Sequence, residues 1–463
     1  MSDAPQLRRV MGLRDVVLFN ITAIVGLRWL TTASFQFGFA AIPVWILAML
    51  VFFVPSAVAV RELTDIDPGA GGIYRWVTRA YGPRHGFLAG WGYWVNNLTY
   101  FPSLLLSAAT ILAYIGGRRT AWLGEHTSFT AVVSLVGLWF AIWLNLVGLR
   151  IGKWLQNAGG IGTWIPALLF VLLAAWAFIN LGSATPFHVH DLVPARLDLP
   201  SINLFGTMTF AFAGLELAPS LGGEIHDPAA TLRRGVLVSG FAIAATYVVG
   251  TLAILVALPH ETVSITNGMP QAAQALAERL GGGWLLLLPP LIVVLLTFGN
   301  LGGTGAWLAG CARLPFAAGV DKALPPAFAR LHPRWGTPYV SLLVMGGLAT
   351  LFIIASLAGE TVRAAYLLLT QLTVALFFIP YLYIFGAYLR LRRARTLGTG
   401  LLGVLGIVAV ALSIVLSFIP PADEASPLGY VAKIGGGVVL FMGVGWWLAR
   451  RSARAGGRTA EAA

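Results

Sequence analysis

Two ionisable residues stand inside otherwise apolar stretches of this 463-residue chain: Arg28, in Ala23-Ile24-Val25-Gly26-Leu27-Arg28, and Glu216, in Phe210-Ala211-Phe212-Ala213-Gly214-Leu215-Glu216. A guanidinium grips a carboxylate through two parallel N–H donors. A carboxyl taken out of water can exchange a proton near neutral pH. Two readings of Arg28 stand side by side. Its fork holds a carboxylate of a substrate, or it neutralises Glu216 and carbonyls freed from a helix. A lipid-facing Arg28 fits poorly, since the residue lies midway along its apolar run. Glu216 is either a gating or proton-coupling group or a fixed acceptor, with function the default for an ionisable residue in such a setting. Thr22, Ala23, Gly26, Arg28, Phe210, Phe212, Ala213 and Gly214 are the candidate substrate contacts on these two segments.

Further polar residues are scattered along apolar runs. Asn96 and Asn97 precede Tyr100, and one of them is expected to line the site (Asn97 is taken as that residue) while the other bonds between helices. Phe210 and Phe212 cap a substrate or simply fill the core. Thr297, Asn300 and Thr304 meet a substrate or ion, or act as interhelical glue.

The elements that must position these groups are membrane helices. Hydrophobic residues make up 58% of the chain and charged residues 10%, against about 45–50% and about 25% in soluble domains. A spanning helix needs about 20 mostly apolar residues. Twelve such runs cover 16–36, 40–60, 87–115, 129–148, 160–181, 201–222, 235–258, 284–310, 339–357, 364–389, 399–419 and 428–449. Little else remains: an N-terminal tail over 1–15, an amphipathic piece around Ile73–Tyr81 and a basic C-terminal tail over 450–463. The interruptions in the first and sixth runs fall five runs apart, and paired interruptions in corresponding halves mark the central site of a transporter. Opening a helix within a bilayer frees N–H and C=O groups that hydrocarbon cannot satisfy. A zwitterion answers both needs, its carboxylate at the positive end of one half-helix and its ammonium at freed carbonyls.

Charge distribution argues against nucleic acid despite a net charge of +12. With a cytoplasmic N-terminus, 23 of the 30 basic residues fall inside, among them Arg8, Arg75, Arg313, Lys322 and the Arg390–Arg395 cluster. Five fall outside (Arg118, Arg119, Arg196, Arg279, Arg363), and Arg28 and Lys433 lie within or at the edge of spans. This is the positive-inside pattern, and it places both termini in the cytoplasm. The single cysteine, Cys311, rules out an intrachain disulfide and reads as a packed small residue. All seven histidines fall in loops or at span edges, which leaves haem or metal ligation unsupported and no metal, cofactor or catalytic residue expected. No pore-lining ring of charge or filter repeat suggests a channel. The first run continues to Phe37 without an Ala-x-Ala site and is read as a spanning helix, not a cleaved leader.

Between the second and third runs, Glu62, Pro68, Gly71, Gly72, Tyr74, Gly82, Pro83, Gly86, Phe87, Gly90 and Trp91 resemble the junction of helices two and three in the amino acid/polyamine/organocation (APC) permeases. Three other places are similar. Phe210 to Glu216 with Gly223-Glu224 and Asp227-Pro228 matches the sixth helix and its inner end. Arg313, Leu324-Pro325, His332-Pro333 and Gly336-Thr337-Pro338 match the loop between helices eight and nine. Gly162-Thr163-Trp164-Ile165-Pro166 is similar to the glutamate/GABA antiporter branch. The likeness covers nearly residues 10–390. It implies an all-α, LeuT-like membrane protein with twelve transmembrane helices: a first inverted repeat over 16–181, a second over 201–389, and two appended helices over 399–449.

It further implies a secondary transporter of amino acids or related small amine-carboxylates in the cytoplasmic membrane, working by antiport or proton symport, as a monomer or homodimer. The alternatives on the same fold are an amino-acid sensor and a polyamine transporter. In similar permeases the glutamate at the position of Glu216 bears on gating or proton coupling. The chain departs from the family at the first break, where many members carry a Gly-Ser-Gly type run and this chain has Gly26-Leu27-Arg28.

Overall fold

A computed structural model describes residues 9–69, 71–193, 199–320, 324–358, 361–420 and 426–460. Arg8, Arg196 and Lys322, counted above among the loop charges, lie outside the described residues, as do the last three residues of the C-terminal tail. Among the described residues the secondary structure is helical, apart from one isolated β-bridge between Met11 and Ile225.

The chain opens with α1 (Leu13–Ile24) and α2 (Arg28–Phe37), the two halves of the first run. α3 (Ala41–Ala48) and α4 (Val54–Ile66) form the second, joined by a π-helical turn over Met49–Phe53. Then come α5 (Ile73–Tyr81), α6 (Pro83–Val95), α7 (Asn97–Ala113), α8 (Thr127–Val147) and α9 (Leu149–Leu181). The second half comprises α10 (Leu199–Ala211), α11 (Leu217–Ser220), α12 (Pro228–Ala257), α13 (Gly268–Arg279), α14 (Leu288–Val320), α15 (Tyr339–Leu357) and α16 (Val362–Leu391). α17 (Leu397–Leu416) and α18 (Pro427–Ala460) follow, α18 carrying the helix through most of the expected C-terminal tail.

Among the described residues, ten helical stretches are long and apolar enough to cross a membrane. Of the twelve runs read from sequence, 16–36 and 201–222 have no spanning stretch of their own, because each is opened at its middle. The expectation of twelve crossings agrees with this pattern.

Two packing features position the site. α9 and α14 cross with glycines face to face: a Cβ on Gly302 would stand 2.3 Å from the Gly159 Cα, and one on Gly162 would stand 2.6 Å from the Leu295 carbonyl. Small residues let membrane helices approach this closely. At one end of the bundle, Pro68, Gly71 and Gly72 dock on the C-terminal half of the sixth run. Gly71 (φ +104°) donates its N–H to the Ser220 carbonyl at 3.2 Å, and a Cβ on Gly222 would lie 2.1 Å from the Pro68 carbonyl. α5 then turns Ile73, Tyr74, Trp76, Val77 and Ala80 inward and leaves Arg75 and Arg79 exposed. Arg75 pairs with Asp67 at 2.9 Å, and Arg79 donates to the Ile66 carbonyl.

Candidate functional site

The two opened turns lie against each other. α1 ends where Val25 turns extended (φ −69°, ψ 102°), and the helix resumes at Arg28. α10 ends at Ala211, Gly214 adopts φ +127°, and the helix resumes at Leu217. A side chain on Gly214 would be strained by that φ and would meet Ile24 at 2.9 Å, so glycine serves both the turn and the contact.

Side chains from neighbouring helices take up many of the freed backbone groups. The Tyr247 hydroxyl on α12 accepts from the Gly26 N–H at 3.4 Å and lies 2.8 Å from the Ile24 carbonyl and 2.7 Å from that of Ala211. Its single proton can serve only one of those two acceptors at a time. Trp307 Nε1 on α14 donates to the Ala23 carbonyl at 2.8 Å, and the Gly214 N–H donates to the Tyr381 hydroxyl on α16 at 3.3 Å. The sequence alone assigns these groups to a ligand; the structure gives them to side chains. The only signal for Tyr247, Trp307 and Tyr381 was a polar tip on an aromatic body within an apolar helix, which seeks a partner when buried.

Beside the first break lies a narrow, partly open cavity of about 30 Å³. Its floor is the run Thr22 to Arg28; Tyr100, Thr163 and Asn300 form its walls, and Gly268-Met269-Pro270 at the N-terminus of α13 reach it from the end opposite α5. Of the proposed substrate contacts, Thr22, Ala23, Gly26 and Arg28 line it. Thr22 is tied to the scaffold, its hydroxyl 2.6 Å from the Leu18 carbonyl and 2.9 Å from that of Gln156 on α9. Arg28 is 5% exposed and sits over the rings of Trp29 (4.3 Å) and Tyr100 (5.5 Å). Its Nε and Nη1 find no hydrogen-bond partner among the described residues. No aspartate or glutamate is among the described residues that line the cavity.

The remaining candidates lie off this wall. Glu216, fully buried, accepts from the Tyr93 hydroxyl at 2.6 Å and, through its other oxygen, from the Tyr381 hydroxyl. The ion pairs among the described residues do not include one between it and Arg28. Asn97 donates to the Tyr93 carbonyl at 2.9 Å and contacts Cys311 Sγ at 3.1 Å; Asn96 bonds back to the Tyr93 carbonyl at the turn separating α6 from α7. Phe210 packs among Trp29, Tyr100, Phe377 and Phe378, and Phe212 among Trp45, Phe53 and Tyr247. Ala213 is buried beside them. Asn300 reaches the cavity, while the hydroxyls of Thr297 and Thr304 bond back to their own helix.

At the α5 end stands a second buried arginine. Arg313, counted from sequence among the loop charges, is 1% exposed within α14, and its Nε and Nη2 meet the two Glu224 oxygens at 2.8 and 2.9 Å. Nη1 donates to the Ala309 carbonyl at 2.6 Å. The loop assignment failed because Arg313 ends an apolar run, where charges ordinarily meet water, and its partner lies 89 residues away in the chain. Val10 and Met11 donate their N–H groups to the Glu224 carbonyl, strapping the N-terminal segment across this end.

Comparison with known proteins agrees with this architecture. An uncharacterized transporter of Legionella pneumophila is 27% identical over 96% of this chain and 97% of its own. A probable agmatine/putrescine antiporter of Lactococcus lactis is 23% identical over 88% of both chains, and a glutamate/gamma-aminobutyrate antiporter of that species is 24% identical over 82% of this chain and 78% of its own. The crystal structure of MhsT in complex with L-phenylalanine superposes with a TM-score of 0.64 at 13% identity, covering 89% of this chain and 99% of that one, so the LeuT-like fold is shared. The family model described as amino acid permease matches residues 11–439, and the chain therefore belongs to the amino acid permeases of the APC superfamily, as a multi-pass membrane protein.

Proposed function

We propose that the protein is a secondary active transporter that carries amino acids or related small amine-carboxylates across the cytoplasmic membrane by alternating access, with both termini cytoplasmic. The observation that carries this reading is the pairing of a cavity that reaches the broken first helix with a closed opposite end, where Arg313 pairs with Glu224 and Pro68 and Gly71 fit against Gly222 and Ser220. Transport requires such a site to open to one face while sealed from the other. Relatives named as exchangers of agmatine with putrescine and of glutamate with γ-aminobutyrate support antiport, with proton symport the second mode. In this scheme Thr22, Ala23, Gly26 and Arg28 hold the substrate. Asn97, Phe210, Phe212, Ala213 and Gly214 back the break from behind, and Glu216 with Tyr93 and Tyr381 couples its movement to gating or to a proton.

Reconstituted protein should give saturable uptake of a radiolabelled amino acid that rises when the same compound is loaded inside. Binding without flux would instead make the protein a sensor. Glu216→Gln should fold normally yet alter the pH dependence of uptake, since it removes the carboxyl that both tyrosines address. An unchanged pH profile would reduce Glu216 to a fixed acceptor.

A further inference from the structure

We infer that the cavity selects substrates of net negative charge, taking an amino acid with a second carboxylate in preference to its uncharged amide and refusing diamines; this rests on the transport reading above. Three positive elements converge on the cavity. The Arg28 guanidinium contributes two donors without partners inside a 95%-buried side chain. The N-terminus of α2 begins at Arg28 itself, and that of the twelve-residue α13 begins at Gly268, which lines the same space. Helix N-termini favour anions, and buried guanidinium N–H groups without an acceptor are costly until one arrives.

The negative side of the inventory is thin. No described carboxylate lines the cavity. The Glu216 oxygens both accept from tyrosines. At the C-terminal end of α1, where an ammonium would be drawn, the Ala23 carbonyl is engaged by Trp307, and the Ile24 carbonyl shares the Tyr247 hydroxyl with that of Ala211. An amino acid's own carboxylate can meet the positive end of α2 or of α13, leaving Arg28 for a second anionic group. A diamine would bring two charges to a cavity that offers a cation and no described carboxylate, and like-charge juxtaposition rejects a ligand more sharply than any missing contact.

The test uses the purified full-length protein, with calorimetric titration of L-glutamate, L-aspartate, L-glutamine and putrescine at neutral pH. A dicarboxylic amino acid should bind about tenfold or more tighter than L-glutamine, the worth of one charge-assisted pair, and putrescine should give no binding heat. Arg28→Gln should bring L-glutamate and L-glutamine to similar affinities. The wild-type ranking needs no variant, so it stands even where Arg28→Gln fails to fold. Putrescine binding as tightly as the dicarboxylates, or glutamine matching them, overturns the charge inference and leaves transport intact. Flux of a neutral amino acid with no dicarboxylate binding does the same. Absence of flux for every amine and amine-carboxylate removes the transport reading and the inference together.

Discussion

Two arginines are buried among the described residues of this bundle, and their surroundings are opposite. Arg313 at the α5 end has a carboxylate fork, a backbone carbonyl and a strapped N-terminal segment around its partner. Arg28 beside the first break has two aromatic faces and two unanswered donors in a cavity wall. A guanidinium costs several kcal/mol to bury and is tolerated when its donors are matched. Arg313 therefore reads as a closure already made, and Arg28 as a contact held open for something that comes and goes. Burial alone does not separate a lock from a binding group; the count of unsatisfied donors does.

The largest effect expected is at the lock. Glu224→Ala strands the Arg313 charge and should cost about 3–5 kcal/mol, the range for breaking one side of a buried pair. Adding Arg313→Met should return part of that loss, because removing both charges leaves no orphan. Thermal or denaturant unfolding in detergent reads both variants. Equal or additive losses in the double variant would mean the pair contributes by packing, and the contrast with Arg28 would lose one of its terms.

A smaller effect is expected at the crossing that frames both regions. Gly302→Ala places a methyl 2.3 Å from the Gly159 Cα, where backbone has to move. Overpacking of this kind costs about 1–3 kcal/mol. Because Gly303 and Asn300 on the same helix line the cavity, substrate affinity should fall along with the unfolding midpoint. A lowered midpoint with unchanged affinity would show that the cavity is insulated from the α9–α14 contact.

Much of this was legible from residue order. Apolar run length located the helices, the glycines and charges at Gly26-Leu27-Arg28 and Gly214-Leu215-Glu216 located both breaks, and α5 has the bounds read for the amphipathic piece. The grouping of Thr22, Ala23, Gly26 and Arg28 on one cavity follows from their lying along a single opened turn. Less legible was anything requiring a helix face. α7 buries all its residues except Leu112, so no periodic stripe marks which side of Asn97 or Tyr100 meets the centre. The caps on the breaks come from Tyr247, Trp307 and Tyr381, each far along the chain and indistinguishable locally from core aromatics. The Pro68–Gly72 run carried a family likeness without its physical reason, which is the close fit to Ser220 and Gly222.

The contrast between the two arginines is tested most directly by melting curves of wild type, Arg28→Gln and Arg313→Gln, each with and without saturating transported amino acid. A ligand that binds only the folded state raises its apparent stability. Arg28→Gln should melt close to wild type or above it and lose most of the ligand-induced shift, since it removes unpaired donors and the contact they serve. Arg313→Gln should melt well below wild type in the absence of ligand, because Glu224 is left buried and unpaired. A marked loss of basal stability in Arg28→Gln, with the ligand shift retained, would contradict the account.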